Sequence, residues 1–371
     1  MRLLKSDLSV LDPSHLLQPA RLSLEKLVLR QAEPLNLEGP YSALDGRVTA
    51  SERFYVRCHF PVPAIDARSF RLAIEGAVER PMTLSLEDLA DLPAMTRIAT
   101  LECAGNGRAF LDPPAEGVQW QSGAVGTAEW GGVRMSDLLA RAGLRPDAVD
   151  LVLEGADHGK PQHLPLPSGT VPYARSVPVR DAEHVLVAFA MNGQPLSPEH
   201  GFPLRAIVAG HYAMASVKWL TRIRALTEPF QGYFQTSDYA YWDETAVHPV
   251  RRPLHAMQLK ASIARPVAGA VVNAASTVTI AGAAWADGPE VEAVEVSTDG
   301  GSSWDEAELL DPAEHGVWRR WQFPWRVGPP GDYTLLARAR DAEGNVQPGE
   351  RDPRWDTYVI HHIVPVTVTA R

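Results

Sequence analysis

Residues 333–339 read Tyr-Thr-Leu-Leu-Ala-Arg-Ala, and this stretch decides the fold of the C-terminal part of the chain. Its β-branched and aromatic residues are typical of a strand, as are those of Thr-Val-Thr-Ile at residues 277–280. Residues 297–301, Ser-Thr-Asp-Gly-Gly, have the composition of a hairpin turn. Almost every segment from Ala261 to Arg371 has this character. The pattern predicts an all-β, immunoglobulin-like sandwich, although the Cys…Trp…Cys pattern of antibody domains is missing.

The region before the predicted sandwich has a mixed sequence pattern. Between Phe54 and Trp242, short apolar runs typical of strands alternate with helix signals. Ser85 precedes Leu-Glu-Asp-Leu and predicts a capped helix, because a serine oxygen and early acidic residues stabilise a helix N-terminus. A second helix is predicted to have Ser136 as its cap and to end at Gly143. The sequence therefore predicts an α+β domain in this region.

Near Pro253 the sequence changes from a mixture of strand and helix signals to strand signals alone, which predicts a boundary between two domains. A chain of 371 residues is long enough for two domains or even three. We expect one domain over residues 1–252 and another over residues 253–371. Residues 1–40 are predicted to be a leucine-rich lead-in, with a short helix followed by an extended segment.

The composition limits the classes of function. Hydrophobic residues make up 45% of the chain and charged residues 22%, as in ordinary globular proteins. The net charge of −10 argues against nucleic acid as a partner, because phosphate binding needs clustered Lys and Arg. No apolar run approaches the ~18 residues that cross a bilayer, so we expect no membrane association. The N-terminus lacks a signal-peptide pattern, which predicts a cytoplasmic protein, or a periplasmic one if an export signal has been trimmed.

The chain has two cysteines, Cys58 and Cys103, which excludes a disulfide framework and a four-cysteine zinc site. One disulfide between them is still compatible with the sequence. A zinc site made of Cys58, His59 and Cys103 lacks a further ligand at a suitable spacing.

The most informative motif surrounds Cys103 and reads Leu-Glu-Cys-Ala-Gly-Asn-Gly-Arg over residues 101–108. Small residues after the cysteine allow a tight turn or the close approach of a bulky group. Arg108 lies five residues further on and could hold the thiol in its thiolate form. A buried structural cysteine in a strand-to-loop corner explains the pattern equally well.

Three more segments carry cations beside apolar strands. Arg57 and His59 share one face of an extended segment and could bind an anion, although a solvated edge strand has the same pattern. The segments 200–205 and 216–220 each carry a cation next to apolar residues. Such a cation either binds a ligand or packs its stem along the edge of the core.

Together, these four segments resemble the sulfite oxidase family of molybdenum enzymes over residues 40–371. The family's ECAGN signature stands at residues 102–106, its VRNH-type segment at 56–59, its DHGFPVR-type segment at 199–205 and its VKWL segment at 217–220. The C-terminal sandwich looks like the family's dimerisation domain.

The resemblance implies a cofactor and a set of site residues. The first domain would bind molybdopterin, Cys103 would be the single protein ligand of its molybdenum, and Trp120 would form part of the pocket wall. Arg319 would reach from the sandwich back to the anion pocket and complete a catalytic set with Arg57, Arg108 and Tyr239. The residues that would hold the cofactor are Tyr55, Arg57, His59, Asp157, His200, Arg205, Ser216 and Lys218.

The activity implied by the resemblance is oxidation of sulfite to sulfate by oxygen-atom transfer. The chain carries no haem domain like that of the animal members, so electrons would pass to a separate acceptor such as a cytochrome c. The sandwich would form a homodimer. The alternatives are a related oxo-transferase that acts on an S-oxide or nitrate, and a non-catalytic immunoglobulin-like binding protein without a metal.

Two departures from the family pattern lie close to the implied site. Cys58 stands where the family often has Asn, so we expect a second sulfur near the metal, either silent or able to form a disulfide with Cys103. Gly107 replaces one of two adjacent arginines of the animal members, which removes a positive charge near the pocket.

Overall fold

The computed structural model describes residues 15–162, 166–245 and 247–371, and within them the chain is built mainly from strands. The N-terminal part begins with a small antiparallel sheet. Its strands are Val28–Gln31, Asn36–Glu38 and Val56–Arg57.

Two five-stranded sheets form the body of the N-terminal part. The first contains, in spatial order, Gln194–Pro195, Val185–Met191, Val125–Arg134 and Ala94–Glu102, with Arg205–Val208 also paired to Val185–Met191. The second contains, in spatial order, Met82–Leu84, Leu72–Gly76, Leu220–Leu226, Asp150–Gly159 and Val171–Pro178. Leu72–Gly76 and Leu220–Leu226 run parallel, and the other pairs in these sheets are antiparallel.

A two-stranded ribbon, Ala240–Asp243 with Val250–Pro253, leads to the C-terminal part, which consists of two more sheets. One has the order Lys260–Arg265, Thr277–Trp285, Arg319–Arg326 and Glu308–Leu309. The other has the order Val271–Val272, Val366–Ala370, Gly331–Asp341, Val291–Ser297 and Asp305–Glu306. The two sheets share one apolar core, which includes the fully buried Ile280, Trp321, Leu335 and Val368.

Helices are short throughout the described residues. The α-helices are Leu86–Ala90 and Met135–Ala142, and Phe234–Asp238 forms one π-helical turn. The 3-10 helices are His15–Leu17, Tyr41–Ala43, Ser51–Arg53, Arg108–Phe110, Val179–His184, Ala213–Ala215 and Pro353–Trp355.

The helix predictions are confirmed in one case and corrected in the other. Ser85 caps its helix in a capping box, since its hydroxyl accepts from the Asp88 amide at 3.1 Å and the Asp88 carboxylate accepts from the Ser85 amide at 2.8 Å. The second helix ends at Gly143, whose φ of 69° is left-handed, but it begins one residue before Ser136 and has no side-chain cap. With two short α-helices among the described residues, the N-terminal part contains much less helix than the α+β prediction implied.

The strand predictions for the C-terminal part are confirmed. Residues 277–280 open the strand Thr277–Trp285, and residues 333–339 lie within Gly331–Asp341. Val291–Ser297 pairs with Asp305–Glu306 across the predicted turn. The immunoglobulin-like topology and the boundary at residues 252/253 stay predictions. Residues 1–14 of the predicted lead-in lie outside the described residues.

The two parts of the chain are packed against each other. Trp285 and Trp318, from the C-terminal sheets and the turn before Arg319, belong to the same apolar cluster as the N-terminal core. This packing places the loop after the strand Ala94–Glu102 at the junction of the two parts. None of the helices in the described ranges is long and apolar enough to cross a membrane.

Candidate active site

A cavity lies in the N-terminal part, at the ends of the strands that carry the sequence motifs. Its walls bring together segments that are far apart along the chain. All eight residues predicted to hold the cofactor line it, together with Cys103 and Tyr239: Tyr55, Arg57, His59, Asp157, His200, Arg205, Ser216 and Lys218.

Cys103 faces this cavity because of the turn that follows its strand. The Cys103 amide donates to Ala124 at 2.9 Å, and the Cys103 carbonyl accepts from the Asn106 amide at 2.8 Å, which closes the turn. A side chain at Gly105 would collide with the Arg108 guanidinium, since a Cβ atom there would lie 2.4 Å from a terminal nitrogen. The small residues after the cysteine therefore make room for an arginine.

Cys58 has a different environment. It is a free thiol, as is Cys103, and only 1% of it is exposed. It packs with Leu37, Val56 and Trp219 outside the cavity lining. Its sulfur accepts a hydrogen bond from the Lys218 ammonium at 3.2 Å. Both cysteines are free thiols, so no disulfide joins them in this structure, and a role for the Cys58 sulfur near the metal stays a prediction.

Arg57, His59 and Tyr239 form one wall of the cavity. The Arg57 guanidinium donates to the Asn36 side-chain oxygen at 3.3 Å, and His59 Nε2 lies 2.6 Å from the Tyr239 hydroxyl. The His59 ring also stacks on Tyr173, with ring centroids 4.4 Å apart. Burial raises the pKa of Tyr239, although the nearby Arg57 guanidinium works in the opposite direction. The phenol therefore stays protonated at neutral pH.

A second wall of the cavity carries a cluster of buried polar groups. The Arg205 guanidinium donates to the carbonyls of His200 at 2.9 Å and Ser216 at 3.2 Å, and it lies 4.8 Å from the centre of the Trp130 ring. The Lys218 ammonium donates to the Glu199 carbonyl at 2.8 Å. Burial, followed by the neighbouring cations Arg205 and Lys218, lowers the pKa of His200 to about 3, so its imidazole is neutral.

Two buried atoms in this wall lack a hydrogen-bond partner within the described residues. They are Oδ1 of Asp157, a residue only 4% exposed, and Nε of Arg205, which is 5% exposed. Burial raises the pKa of Asp157 to about 7, while Lys218 partly offsets that rise. Unpartnered buried polar groups are costly, so they indicate a ligand that supplies the missing partners. A pterin with ring N–H groups and an anionic phosphate has the matching chemistry.

Arg108, predicted to belong to the catalytic set, is not among the residues that line the cavity. Its Nε donates to the Thr357 carbonyl at 3.0 Å and hydroxyl at 2.8 Å, and Nη1 donates to the Val118 carbonyl at 2.8 Å. Its guanidinium sits 5.2 Å from the centre of the Tyr358 ring. Trp120 was predicted to form part of the pocket wall, but it is fully buried outside the cavity lining, with its ring edge-on to Tyr55, which does line the cavity.

The prediction for Arg319 is wrong. Its Nε donates to the Asp311 carbonyl at 2.9 Å and its Nη1 to the Val291 carbonyl at 2.6 Å, which ties it to neighbouring strands of the C-terminal part. Because these backbone carbonyls satisfy the guanidinium locally, it does not extend to the cavity. The C-terminal part reaches the site through Thr357 and Tyr358 instead.

The zinc alternative is not supported by the geometry. Within residues 15–162, 166–245 and 247–371, no group of three or more His, Cys, Asp or Glu side chains could hold a metal ion.

Several residues that contact the predicted site residues were not predicted from the sequence. These are Asn36, Tyr173, Asp238, Thr357 and Tyr358. No local sequence pattern predicted these residues, because each contacts a residue that is distant from it in the sequence.

Two family models match the chain. Residues 59–234 match the oxidoreductase molybdopterin binding domain, and residues 251–362 match the Mo-co oxidoreductase dimerisation domain. With the buried cysteine and the unpartnered polar groups around it, these matches define a molybdopterin-binding protein of the oxidoreductase class. Its cofactor is molybdenum held by molybdopterin.

Known proteins of this class resemble the chain over most of its length. It is 35% identical over 352 residues to mitochondrial sulfite oxidase of Mus musculus, covering 89% of this chain and 63% of that protein. It is 33% identical to sulfite oxidase of Gallus gallus, with 89% and 74% covered, and 32% identical to that of Arabidopsis thaliana, with 89% and 90% covered. The sulfane dehydrogenase SoxCD of Paracoccus pantotrophus superposes with a TM-score of 0.78 at 28% identity, covering 89% of this chain and 83% of the other.

The chain belongs to the sulfite oxidase family. It spans 63% of the length of the mouse relative.

Proposed function

We propose that this chain oxidises sulfite to sulfate by oxygen-atom transfer and passes the electrons to a separate acceptor. The observation that carries the proposal is the free thiol of Cys103, which faces a cavity lined by all eight predicted cofactor residues. When bound, the molybdenum of the cofactor supplies the oxygen-atom transfer and takes up the two electrons. Cys103 would ligate the metal, because a thiolate is the form of cysteine that binds metals.

The chain's own residues would orient the cofactor and the anion. Asp157 would accept hydrogen bonds from pterin nitrogens, while Arg205 and Lys218 would neutralise the phosphate. His200 and Ser216 support this wall through their carbonyls, each of which accepts from Arg205. A water-excluded wall of fixed donors is the arrangement that favours an anionic ligand.

The Arg57 guanidinium would bind the sulfite anion. It lines both the inner cavity and an outer cleft, so it stands between them. Burial alone lowers the pKa of Arg57, but the ionisable groups of Tyr239 and Cys103 outweigh this effect and raise it. The guanidinium therefore remains a permanent positive charge with two forked donors.

His59 and Tyr239 would hold the exchangeable proton beside the anion. The 2.6 Å contact between His59 Nε2 and the Tyr239 hydroxyl allows a proton to move between the two groups. Because His59 also lines the outer cleft, this pair has a route to solvent.

The C-terminal sheets would be an immunoglobulin-like sandwich over residues 253–371, and they would form an isologous homodimer, in line with the dimerisation-domain match. A cytochrome c is the proposed class of acceptor. The cytoplasmic location expected from the N-terminal sequence stays a prediction.

The test is a single purified preparation assayed for both metal and turnover. We expect molybdenum by elemental analysis and sulfite-dependent reduction of ferricyanide and of cytochrome c. The same preparation is assayed with an S-oxide, with nitrate and with a sulfane-sulfur compound, the last because of the similarity to sulfane dehydrogenase. Full molybdenum loading without sulfite oxidation overturns the substrate and leaves the cofactor in place. Absence of molybdenum after expression with ample molybdate overturns the proposed function as a whole.

A further inference from the structure

The segment 353–363 of the C-terminal part packs directly on the motif around Cys103. The Val359 amide donates to the Ala104 carbonyl at 2.7 Å. Gly107 adopts a left-handed φ of 100°, and a Cβ atom there would lie 2.9 Å from the Ile360 side chain. A larger residue at position 107 would therefore push this segment away from the turn that carries Cys103.

Tyr358 is the residue of this segment that contacts Tyr239, a residue of the cavity lining. It is 7% exposed, and its hydroxyl donates to Asp238 Oδ1 at 2.6 Å. Its ring packs against the Tyr239 ring with centroids 4.8 Å apart. The Arg108 guanidinium also lies 5.2 Å from the ring centre. One side chain thus touches a carboxylate, a phenol and a guanidinium of the site.

Asp238 is an unexpected neighbour for an anion site. Its carboxylate lines the outer cleft together with Arg57 and His59, and it interacts electrostatically with Arg57. A mobile carboxylate at this position would compete with an anionic substrate for the Arg57 guanidinium. The hydrogen bond from Tyr358 holds the carboxylate in one place instead.

We propose that Tyr358 is a positioning residue for oxyanion binding, contributed to the site by the C-terminal part of the chain. Its hydroxyl restrains the Asp238 carboxylate, and its ring supports Arg108 and Tyr239. This inference rests on the proposed function, in which an oxyanion binds beside Arg57. Arg319 was expected to link the C-terminal part to the site, and the inference assigns this link to Tyr358 instead.

The first test is Tyr358→Phe in the molybdenum-loaded enzyme. This change removes the hydrogen bond to Asp238 and keeps the ring. We expect KM for sulfite to rise about tenfold, the size typical of losing a hydrogen bond to a charged group, while kcat changes by less than about twofold. Isothermal titration with sulfate provides a readout independent of turnover, and its Kd is expected to rise by a similar factor.

The second test separates positioning from a purely structural role. In the Asp238→Asn background the negative charge is absent, so Tyr358→Phe is expected to change KM and the sulfate Kd by less than about twofold. Tyr333→Phe is the matched control, since its hydroxyl donates to the Pro329 carbonyl far from the cavity, and it should leave both values unchanged. Thermal unfolding and molybdenum content are measured for every variant.

Unchanged KM and sulfate Kd in Tyr358→Phe would overturn the inference. The inference would also be overturned if Tyr358→Phe lowered kcat, molybdenum content and thermal stability together, and if Asp238→Asn did not relieve these losses. That pattern would indicate that Tyr358 supports the structure alone. If the wild-type protein does not oxidise sulfite, the proposed function fails separately, and the sulfate titrations still decide the role of Tyr358.

Discussion

The Glu102 carboxylate accepts a hydrogen bond at 2.9 Å from the ammonium group of Lys260, and both side chains are almost completely buried. Glu102 precedes Cys103 directly, whereas Lys260 opens the first strand of the C-terminal sheets. Trp285 donates to the second oxygen of the same carboxylate at 2.8 Å, and Asn106 donates to the first at 3.1 Å. The turn that carries the cysteine is therefore anchored to the C-terminal part by one buried ion pair.

Replacing Lys260 with Met is expected to destabilise the protein by about 3–5 kcal/mol, because it leaves the Glu102 charge buried without a counter-ion. Urea unfolding measures this change. The control is Lys26→Met, since the Lys26–Glu52 pair is largely exposed and should contribute less than about 1 kcal/mol. Equal effects of the two substitutions would show that burial of the Lys260 pair is unimportant.

Cys103→Ala is expected to abolish sulfite turnover and leave the fold intact, because it removes the metal's only proposed protein ligand. Sulfite-dependent reduction of ferricyanide and far-ultraviolet circular dichroism are the measurements. Cys58→Ser provides the control: it keeps an acceptor for Lys218 and lies outside the cavity lining, so turnover should stay near the wild-type level. Wild-type turnover by Cys103→Ala contradicts the proposed ligation.

Arg57→Met is expected to raise KM for sulfite roughly 10- to 100-fold, since it removes the guanidinium that lines the passage to the cavity. Arg57→Lys should recover only part of this loss, because an ammonium keeps the charge without the forked geometry. Initial-rate kinetics measure both effects.

Arg319→Met is the matched control for Arg57, since its guanidinium is bonded to the carbonyls of Asp311 and Val291 and lies outside the cavity. KM should remain at the wild-type value. A large rise in KM for this variant would restore the role that the family resemblance predicted for Arg319.

Acidification is expected to destabilise the protein through His255. Burial, then the charges of Arg175 and His211, lowers the pKa of His255 to about 3 from an ordinary value of 6.5. Between those two values the unfolded chain binds a proton that the folded chain does not, so stability is fully present above pH 6.5 and decreases as the pH falls. From pH 7 to pH 5 this group removes about 2 kcal/mol.

The measurement is urea unfolding of the wild type and His255→Gln at both pH values. The Gln variant should lose about 2 kcal/mol less than the wild type on acidification, because it has no group to protonate at this position. Equal losses in the two proteins would assign the acid sensitivity to other groups.

The strands of the C-terminal part and one helix cap could be predicted from the sequence, because they depend on local backbone preferences. The Thr277–Ile280 run and the Ser85 cap are examples, and the structure confirms both. The first residue of the second helix was predicted wrongly, since tertiary packing rather than the Ser136 side chain sets where that helix begins.

The residues of the candidate site also fall into two groups, those that could be predicted from the sequence and those that only the structure identified. The motif residues around Cys103, Arg57, His200 and Lys218 were recognisable because they stand in short, contiguous segments that resemble those of the sulfite oxidase family. Their meeting in one cavity agrees with that expectation.

What the amino-acid sequence alone determined, through its resemblance to the sulfite oxidase family, was a set of motif residues of which Cys103, Tyr239 and the eight predicted cofactor residues line the cavity. Only the tertiary structure decided that Cys58 lies outside the cavity, that Arg319 binds backbone carbonyls of its own sheets, and that Tyr358 reaches Asp238. The physical reason is that these outcomes depend on contacts between residues far apart in the chain. Such contacts follow from how the sheets pack, and they leave no periodicity or spacing in the sequence itself.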